Sequence, residues 1–392
     1  MSDNIGVAGQ SMKIKSGIFL LLVLPLLTWS QKAAYAQGTI PPGGGTSTIT
    51  RPDSIQDSGY WGYMANAPAN VIHGGILQGK VVVTGNPLLW EPLTVMLSCS
   101  AGKADLTTLT DADGYYAITH VNLGKAFTTE DDALSTEMRQ HYEGCALQAP
   151  LAGYHSTSVT ITEKNLRDAP TLGNIVLTPD EHASGWAIST VGESSSPEAV
   201  KAFDKAHDEW LHRNLDGARN DLQQAVQLDP QFAEAWYLLG RLQVLTDTTA
   251  AAASFKNALT ADPKFVPPYV YLAGIAIEKK NWQEAGERAA EALALDPAGT
   301  ARLWYYNAEA DYRLGKNEAA RTSAQTAMAM DPEHNIPDAE DVLALTLLAK
   351  SDYSEALAHL RNTLTYIPSG PGAELIKRQI AFVEQQDPGA RK

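Results

Sequence analysis

The chain has 392 residues, of which 44% are hydrophobic and 19% charged, a composition typical of a globular protein with room for two or three domains. Its 45 acidic and 30 basic residues give a formal net charge of −15. Because nucleic acids and anionic lipids are bound by clustered Lys and Arg, this balance argues against either of them as the partner.

The amino terminus has the pattern of a secretory signal peptide. Lysines precede an apolar run from Ile18 to Leu27, and an A-x-A cleavage pattern ends at Ala36. The run of about ten residues is too short to cross a bilayer as a helix. We predict a signal peptide over 1–36, cleavage after Ala36 and a secreted or periplasmic protein. An uncleaved anchor is the alternative, and whether Met12 is the true start stays open.

Residues 37–70 are rich in Gly, Pro, Ser and Thr, which predicts a flexible segment with too little apolar surface to fold. An aromatic cluster near its end contains Tyr60, Trp61 and Tyr63. Two interpretations stand for this cluster: it packs on the next domain, or it forms a recognition segment.

Residues 71–179 change to the period of β-strands. Seven short alternating or β-branched runs, separated by Gly, Pro, Asn and Asp, predict a β-sandwich of about 110 residues. The runs are Ile76–Val83, Leu93–Cys99, Leu106–Thr110, Tyr115–Ile118, Cys145–Ala149, Tyr154–Ile161 and Leu172–Leu177. A polar insertion between Gly124 and Tyr142 is expected to be a loop or a short surface helix.

This stretch resembles the carboxypeptidase regulatory-like domain, an accessory domain with a prealbumin-like sandwich fold. The resemblance rests on Gly79, Val81, Thr110, Asp111, Asp113, Gly114, Tyr116, Gly153, Tyr154, Val176 and Leu177. It implies an all-β prealbumin-like sandwich and does not imply proteolysis. The long insertion before Cys145 and Trp90, beside the second strand, depart from the pattern.

Two local features of the predicted sandwich bear on chemistry. The Asp111–Gly114 stretch contains the Asp-Gly pair of a turn between strands and lacks the further ligands of a calcium loop, so we predict a turn and no metal. Cys99 and Cys145 are the only cysteines. An even count in a secreted protein favours a disulfide, and two buried thiols are the alternative.

The carboxy-terminal half contains a ladder of prolines that recur about every 34 residues, the period of a helical repeat array. The prolines are Pro230, Pro263, Pro297, Pro332 and Pro368. Residues 180–196 before the ladder are predicted to be a linker that ends at the helix N-cap Ser196.

The units between the prolines resemble the tetratricopeptide repeat. The second unit shows the pattern best, with Trp236, Leu239, Gly240, Phe255 and Pro263 at the consensus spacing. The resemblance implies an all-α solenoid of five repeats over 197–370. Two departures are a unit two that is one residue short before Ala251, and Glu340 in place of the Trp-like residue of unit five.

After the last repeat, residues 371–392 are predicted to form a capping helix and tail. Leu375, Ile376, Ile380 and Val383 fall on one face of this helix, which matches the need of an open-ended solenoid to cover its last apolar surface.

By the same resemblance, ligands bind in the concave groove made by the first helix of each pair. Tyr and Arg are enriched at interface hot spots, and the inward positions are rich in both. The predicted groove residues are Trp210, Tyr237, Arg241, Tyr271, Tyr305, Tyr306, Glu309, Tyr312 and Arg313. The competing interpretation is that these tyrosines pack within the solenoid.

No catalytic motif is found: H-E-x-x-H, G-x-S-x-G and the phosphate-binding loop are all missing from the sequence. We therefore predict a protein without enzymatic activity, cofactor or metal, which serves as a scaffold for a protein or peptide partner. The alternative is carbohydrate or cell-wall binding by the sandwich through Trp61, Trp90 or Tyr115, and a third hypothesis is a spacer that positions the sandwich.

Overall fold

A computed structural model describes residues 77–85, 89–99, 104–118, 142–167, 171–189, 195–244, 246–331 and 334–386. The predicted signal peptide, the 37–70 segment with Trp61, and the greater part of the polar insertion lie outside the described residues. Within them the chain forms two sheets followed by an array of helices, and this predicted order is confirmed.

The amino-terminal part consists of two four-stranded sheets. Their orders are β4-β1-β8-β6 and β3-β2-β5-β7, and β1 and β8 are paired in parallel. The strands are β1 Leu77–Val83, β2 Thr94–Ser98, β3 Ala104–Leu109, β4 Tyr115–Ile118, β5 Ala146–Gln148, β6 Tyr154–Ser156, β7 Val159–Thr160 and β8 Ile175–Pro179. A short helix, α1 (Glu163–Arg167), lies between β7 and β8.

Period-two alternation explains why these segments are strands. Val81 and Val83 of β1, Val95 and Leu97 of β2, and Leu177 of β8 point to one apolar core that both sheets share. Their neighbours along each strand face outwards, which is the pattern of a half-buried strand. The prealbumin-like topology itself stays a prediction.

The stretch predicted as one strand over Tyr154–Ile161 is divided between the two sheets. The β6 residues pair with β8, whereas β7 pairs with β5. Two hydroxyl groups form hydrogen bonds where the chain crosses from one sheet to the other. Ser156 Oγ accepts from the Ala149 amide at 2.9 Å, and Thr157 Oγ1 accepts from the Val176 amide at 2.8 Å. The alternation changes phase at this crossing, where Thr157 and Ser158 are both exposed, but the prediction of a single strand did not take account of it.

The predicted turn at Asp111–Gly114 is present. The Asp111 carboxylate accepts from the Asp113 and Tyr115 amides at 3.0 and 2.8 Å, and Gly114 has a φ of 84°. A side chain at Gly114 would also meet the Val81 carbonyl oxygen, so glycine is required there on two grounds.

A disulfide joins Cys99 to Cys145. The pairing of Leu97 with Leu147 and of Ser98 with Ala146 places these cysteines opposite each other, just beyond the ends of β2 and β5. The bond ties together two central strands of the second sheet.

The carboxy-terminal part contains five helix pairs and a final helix. The first helices of the pairs are α2 Pro197–Leu211, α4 Ala233–Gln243, α6 Val266–Glu278, α8 Ala301–Arg313 and α10 Asp338–Ala349. The second helices are α3 Leu215–Leu228, α5 Thr248–Ala261, α7 Trp282–Leu295, α9 Asn317–Met330 and α11 Tyr353–Tyr366. The final helix is α12 Gly370–Gln386.

Small residues let the helices of each pair approach closely. Ala225, Ala258, Ala292 and Ala327 are completely or almost completely buried between helices. A Cβ at Gly240 would lie 2.6 Å from the Phe255 ring, so the second pair depends on glycine at this crossing. These residues serve the packing of the helices, and none of them has a reactive side chain.

The Asp before the proline of the first and second units also has a structural role. Asp229 Oδ1 accepts from the Gln231 amide at 2.9 Å, and Asp262 Oδ1 accepts from the Lys264 amide at 3.0 Å. Each carboxylate therefore stabilises the turn into the next pair, as Asp commonly does in turns.

The final helix covers the fifth pair. Ile376 and Val383 of α12 are buried against Leu357 and Leu360 of α11. Within the described part of the chain, every helix is too short or too polar to cross a bilayer.

Candidate binding site on the first-helix face

All nine predicted groove residues lie on first helices. Trp210 is on α2, Tyr237 and Arg241 are on α4, Tyr271 is on α6, and the other five are on α8. We call the surface lined by α2, α4, α6, α8 and α10 the first-helix face. Side-chain contacts divide its predicted residues into an amino-terminal group and a carboxy-terminal group.

The amino-terminal group contacts the sheet part of the same chain. Trp90, which precedes β2, has only 5% of its surface exposed. Its ring lies 5.2 Å from Phe203, 4.9 Å from His207 and 5.6 Å from Trp210, between ring centroids. His207 Nε2 is 3.3 Å from the Leu89 carbonyl oxygen. Burial lowers the pKa of His207 despite this contact, which favours the neutral imidazole.

The residue after Trp90 is held by α4. Glu91 Oε1 accepts a hydrogen bond from the Tyr237 hydroxyl at 2.9 Å and forms an ion pair with Arg241 at 2.5 Å. Burial, the largest single influence, would lower the pKa of Arg241, but Glu91, Tyr237 and Tyr271 together outweigh it and the pKa is raised. We call Phe203, His207, Trp210, Tyr237 and Arg241 the aromatic–arginine clamp.

Tyr271 of α6 extends this group towards the third pair. Its ring stacks on Phe255 at 4.9 Å and meets the edge of Tyr237 at 5.8 Å. It also takes part in a hydrogen bond with Arg241. Tyr271 therefore supports the clamp from the side away from Trp90.

The carboxy-terminal group centres on an ion pair within α8. Arg313 Nε donates to Glu309 Oε1 at 2.9 Å, and the two side chains are only 9% and 3% exposed. The guanidinium carbon lies 5.1 Å from the Trp282 ring and 5.9 Å from the Tyr312 ring. Burial raises the pKa of Glu309 although Arg313 opposes the shift, and Glu309 Oε2 has no hydrogen-bond partner.

A second buried acid faces this pair from α10. Burial, followed by the charges of Asp338 and Glu309, raises the pKa of Asp341 to about 7. Burial also raises the pKa of Tyr305 well above its ordinary value. The first-helix face of the fourth and fifth pairs is therefore lined by tyrosines and by the carboxyl groups of Glu309, Asp338 and Asp341, with Arg313 and Arg302 as the nearby cations.

Tyr306 contacts two apolar clusters of the helical array, whereas Tyr305 and Tyr312 pack against a third. Tyr306 packs against Ala273, Ala289 and Leu303 in one apolar cluster and against Ala276 and Ala310 in another. A Cβ at Gly274 would lie 3.0 Å from its hydroxyl oxygen. For Tyr306 the alternative interpretation, packing within the helical array, fits the contacts better than a role in the groove.

Of the residues predicted to bind carbohydrate, Trp61 lies outside the described residues, and Trp90 and Tyr115 differ in exposure. Trp90 was expected to be exposed, and this expectation is wrong, because the indole is buried against α2. Tyr115 is 55% exposed, with the Lys80 ammonium 4.5 Å from its ring centroid.

Sequence reasoning missed the second contact between sheets and helices, in the segment predicted as a linker. The Trp186 Nε1–H and the Ser189 hydroxyl each donate to Asp262 Oδ2 at 2.6 Å. Trp186 and Phe265 form a parallel bridge, and the Ala187 amide donates to the Ala152 carbonyl oxygen at 2.9 Å. The sequence feature that could have indicated this contact is Trp186, an aromatic residue in a segment otherwise typical of a linker.

The parts of the chain that the structure describes hold no candidate metal site. Those residues contain no group of three or more His, Cys, Asp or Glu side chains placed to hold a metal ion. The side chains of the first-helix face form aromatic contacts, ion pairs and hydrogen bonds.

Comparison with known proteins adds one local assignment. Residues 214–246 match the family model described as TPR repeat. The TPR match spans α3 and α4, the second helix of one pair and the first helix of the next. No curated protein sequence matches the chain significantly.

Solved structures with a similar arrangement of helices include those of YrrB, PilW and MamA. YrrB, "a TPR protein with an unusual peptide-binding site", has 20% identity and a TM-score of 0.41, covering 46% of this chain and 92% of its own. PilW, a "widely conserved type IV pilus biogenesis factor", has 18% identity and a TM-score of 0.40, covering 50% and 90%. MamA from Desulfovibrio magneticus RS-1 has 18% identity and a TM-score of 0.39, covering 45% and 99%. These values are too low to support a conclusion about this chain's partner.

Proposed function

We propose that the chain is a non-enzymatic scaffold of the bacterial periplasm or cell envelope that binds a protein or peptide on its first-helix face. One observation carries the proposal: the amino-terminal end of this face holds a polypeptide segment, residues 89–91, through aromatic rings and an arginine. The carboxy-terminal end offers the same kinds of side chain.

The fourth pair is suited to the partner because its groups are already oriented. Arg313 is fixed by Glu309 and by the rings of Trp282 and Tyr312. A binding surface that is ordered before the partner arrives loses less side-chain entropy on association. Tyr305 and Tyr312 lie seven residues apart on α8, so both are on one side of that helix.

Affinity capture from an envelope extract, with the full chain as bait, tests the proposal. The variant Tyr305→Ala/Tyr312→Ala removes two rings from the first-helix face. The matched control Tyr366→Ala removes an exposed tyrosine from a second helix. We expect a protein that wild type and control retain and that the double variant retains at least tenfold less.

Thermal unfolding by circular dichroism first establishes that the double variant is folded at the capture temperature. Equal retention by the double variant and the control would contradict binding at the fourth pair. It would leave the amino-terminal end of the face and the exposed Tyr115 as the places to examine.

A further inference from the structure

The contact between the 89–91 segment and the helices has two parts that differ in chemistry. Trp90 supplies an apolar anchor, buried among Phe203, His207 and Trp210. Glu91 supplies a carboxylate that Tyr237 and Arg241 bind through a hydrogen bond and an ion pair. A buried aromatic anchor beside a charge-assisted hydrogen bond is the usual composition of an interaction hot spot.

The segment belongs to both parts of the molecule. Leu89 is buried in the core shared by the two sheets, whereas Trp90, the next residue, is buried in the cluster of the first two helix pairs. The peptide chain therefore passes directly from one core to the other. The Trp90 and Glu91 side chains and the Leu89 carbonyl oxygen contact the clamp, so the site recognises a very short sequence.

Two features indicate that this contact is not optimised for permanent closure. The Trp90 Nε1–H is buried without a hydrogen-bond partner, which costs free energy relative to the same group in water. The Glu91 side chain is 48% exposed while Arg241 is 20% exposed, so water reaches the carboxylate from outside. Release of the segment would return the Trp90 N–H and the Glu91 carboxylate to water, which lowers the free-energy cost of opening the clamp.

We propose that the aromatic–arginine clamp is a binding site for a peptide with an aromatic residue followed by a carboxylate, and that Trp90 and Glu91 occupy it within the same chain. A second polypeptide with this pair of residues binds the clamp when the internal segment leaves it. The site is separate from the fourth and fifth pairs, and its test does not depend on the partner proposed for them.

A peptide-binding measurement on the full chain tests this proposal. The probe is a fluorescein-labelled peptide with the sequence of residues 86–95, NPLLWEPLTV. The variant Trp90→Ala/Glu91→Ala empties the clamp and keeps Leu89 in the sheet core. Fluorescence anisotropy should show the peptide binding to this variant at least tenfold more tightly than to wild type, because the internal segment competes in wild type.

Four controls define the recognition. A peptide with Trp→Ala and a peptide with Glu→Gln should each bind the emptied variant at least tenfold more weakly. Adding Arg241→Ala to the emptied variant should have a similar effect on the original peptide. Adding Tyr305→Ala/Tyr312→Ala should leave peptide affinity unchanged, which separates this result from the proposed function.

Failure of the emptied variant to bind the peptide while folded would overturn the proposal, as would equal affinity for wild type and emptied variant. If removal of Trp90 prevents folding, Glu91→Arg provides the second measurement. It keeps the indole but sets two positive charges against each other at Arg241. Peptide affinity should then rise at least threefold over wild type, and an unchanged affinity would overturn the proposal.

Discussion

At the scale of single residues, Asp341 is a buried carboxyl group whose surroundings disfavour its ionised form. Its pKa of about 7 compares with an ordinary value of 3.8. At pH values between these two pKa values, Asp341 is protonated in the folded chain and ionised in the unfolded chain. The free energy of unfolding therefore falls as pH rises from about 4 to 7, and the loss stays in full above 7.

Asp341→Asn should remove this loss because an amide does not ionise. At pH 8 we expect the variant to have a free energy of unfolding higher than wild type by an amount on the order of 2 kcal/mol. The difference should shrink towards pH 5. Denaturant unfolding at the two pH values measures it, with the exposed Asp352→Asn as control. A difference independent of pH would contradict the assigned shift.

Glu340 is a buried acid whose partners could not be identified from the sequence. It stands where repeats of this type have a Trp-like residue, and it is buried. Asn362 donates to both of its oxygens at 2.7 and 2.9 Å, and His359 Nδ1 lies 3.1 Å from Oε1. Burial would raise the pKa of Glu340, but these partners together lower it. The polar replacement could be read from the sequence, but its partners, about twenty positions away on α11, could not.

At the scale of elements, the second sheet depends on the Cys99–Cys145 bond. By the chain-entropy model, closing a loop of 46 residues stabilises the folded state by about 4 kcal/mol. We expect Cys99→Ser/Cys145→Ser to lose hydrogen-exchange protection in β2 and β5. The helices α8 to α11 should keep theirs and serve as the internal control. Unchanged protection in β5 would contradict a stabilising role for the bond.

The elements themselves were largely predictable. Proline spacing and small residues gave the helix pairs because both follow from the geometry of two antiparallel helices, and Gly240 and Phe255 meet as the pattern requires. Strand alternation gave β1, β2, β4 and β8 within a few residues. The division at Thr157 was not predicted: the alternation changes phase there, but the sequence does not show that the Thr157 amide and hydroxyl both pair with Val176.

At the scale of the whole molecule, the sequence did not predict that sheets and helices pack together. Trp90 and Trp186 are separated by almost the whole sheet region, and each is an isolated aromatic residue in sequence. Their partners, His207 and Asp262, lie in helical units whose pattern describes only their own packing. The same limit explains why Trp210, Tyr237 and Arg241 were predicted as an open groove: their occupant comes from a distant part of the chain.

This packing should respond to pH through His207. Burial, the largest influence, lowers its pKa, whereas the Leu89 carbonyl oxygen and the charges of Asp113, Asp204 and Asp208 oppose the shift. In a chain whose 89–91 segment has left the clamp, the imidazole should regain an ordinary pKa of about 6.5. Stability of the docked state is therefore full above that value and decreases as pH falls below it.

The expected result is partial release of Trp90 from the clamp as pH falls from 7.5 to 5. Fluorine NMR of the 5-fluorotryptophan-labelled chain, with the Trp90 signal assigned from Trp90→Phe, follows this release directly. His207→Gln keeps an N–H that can donate to the Leu89 carbonyl oxygen but cannot gain a proton in this range, so the signal of that variant should stay constant. A Trp90 signal that shifts equally in both chains would assign the change to other groups, whereas a signal constant in both would show that protonation of His207 does not reach the contact between sheets and helices.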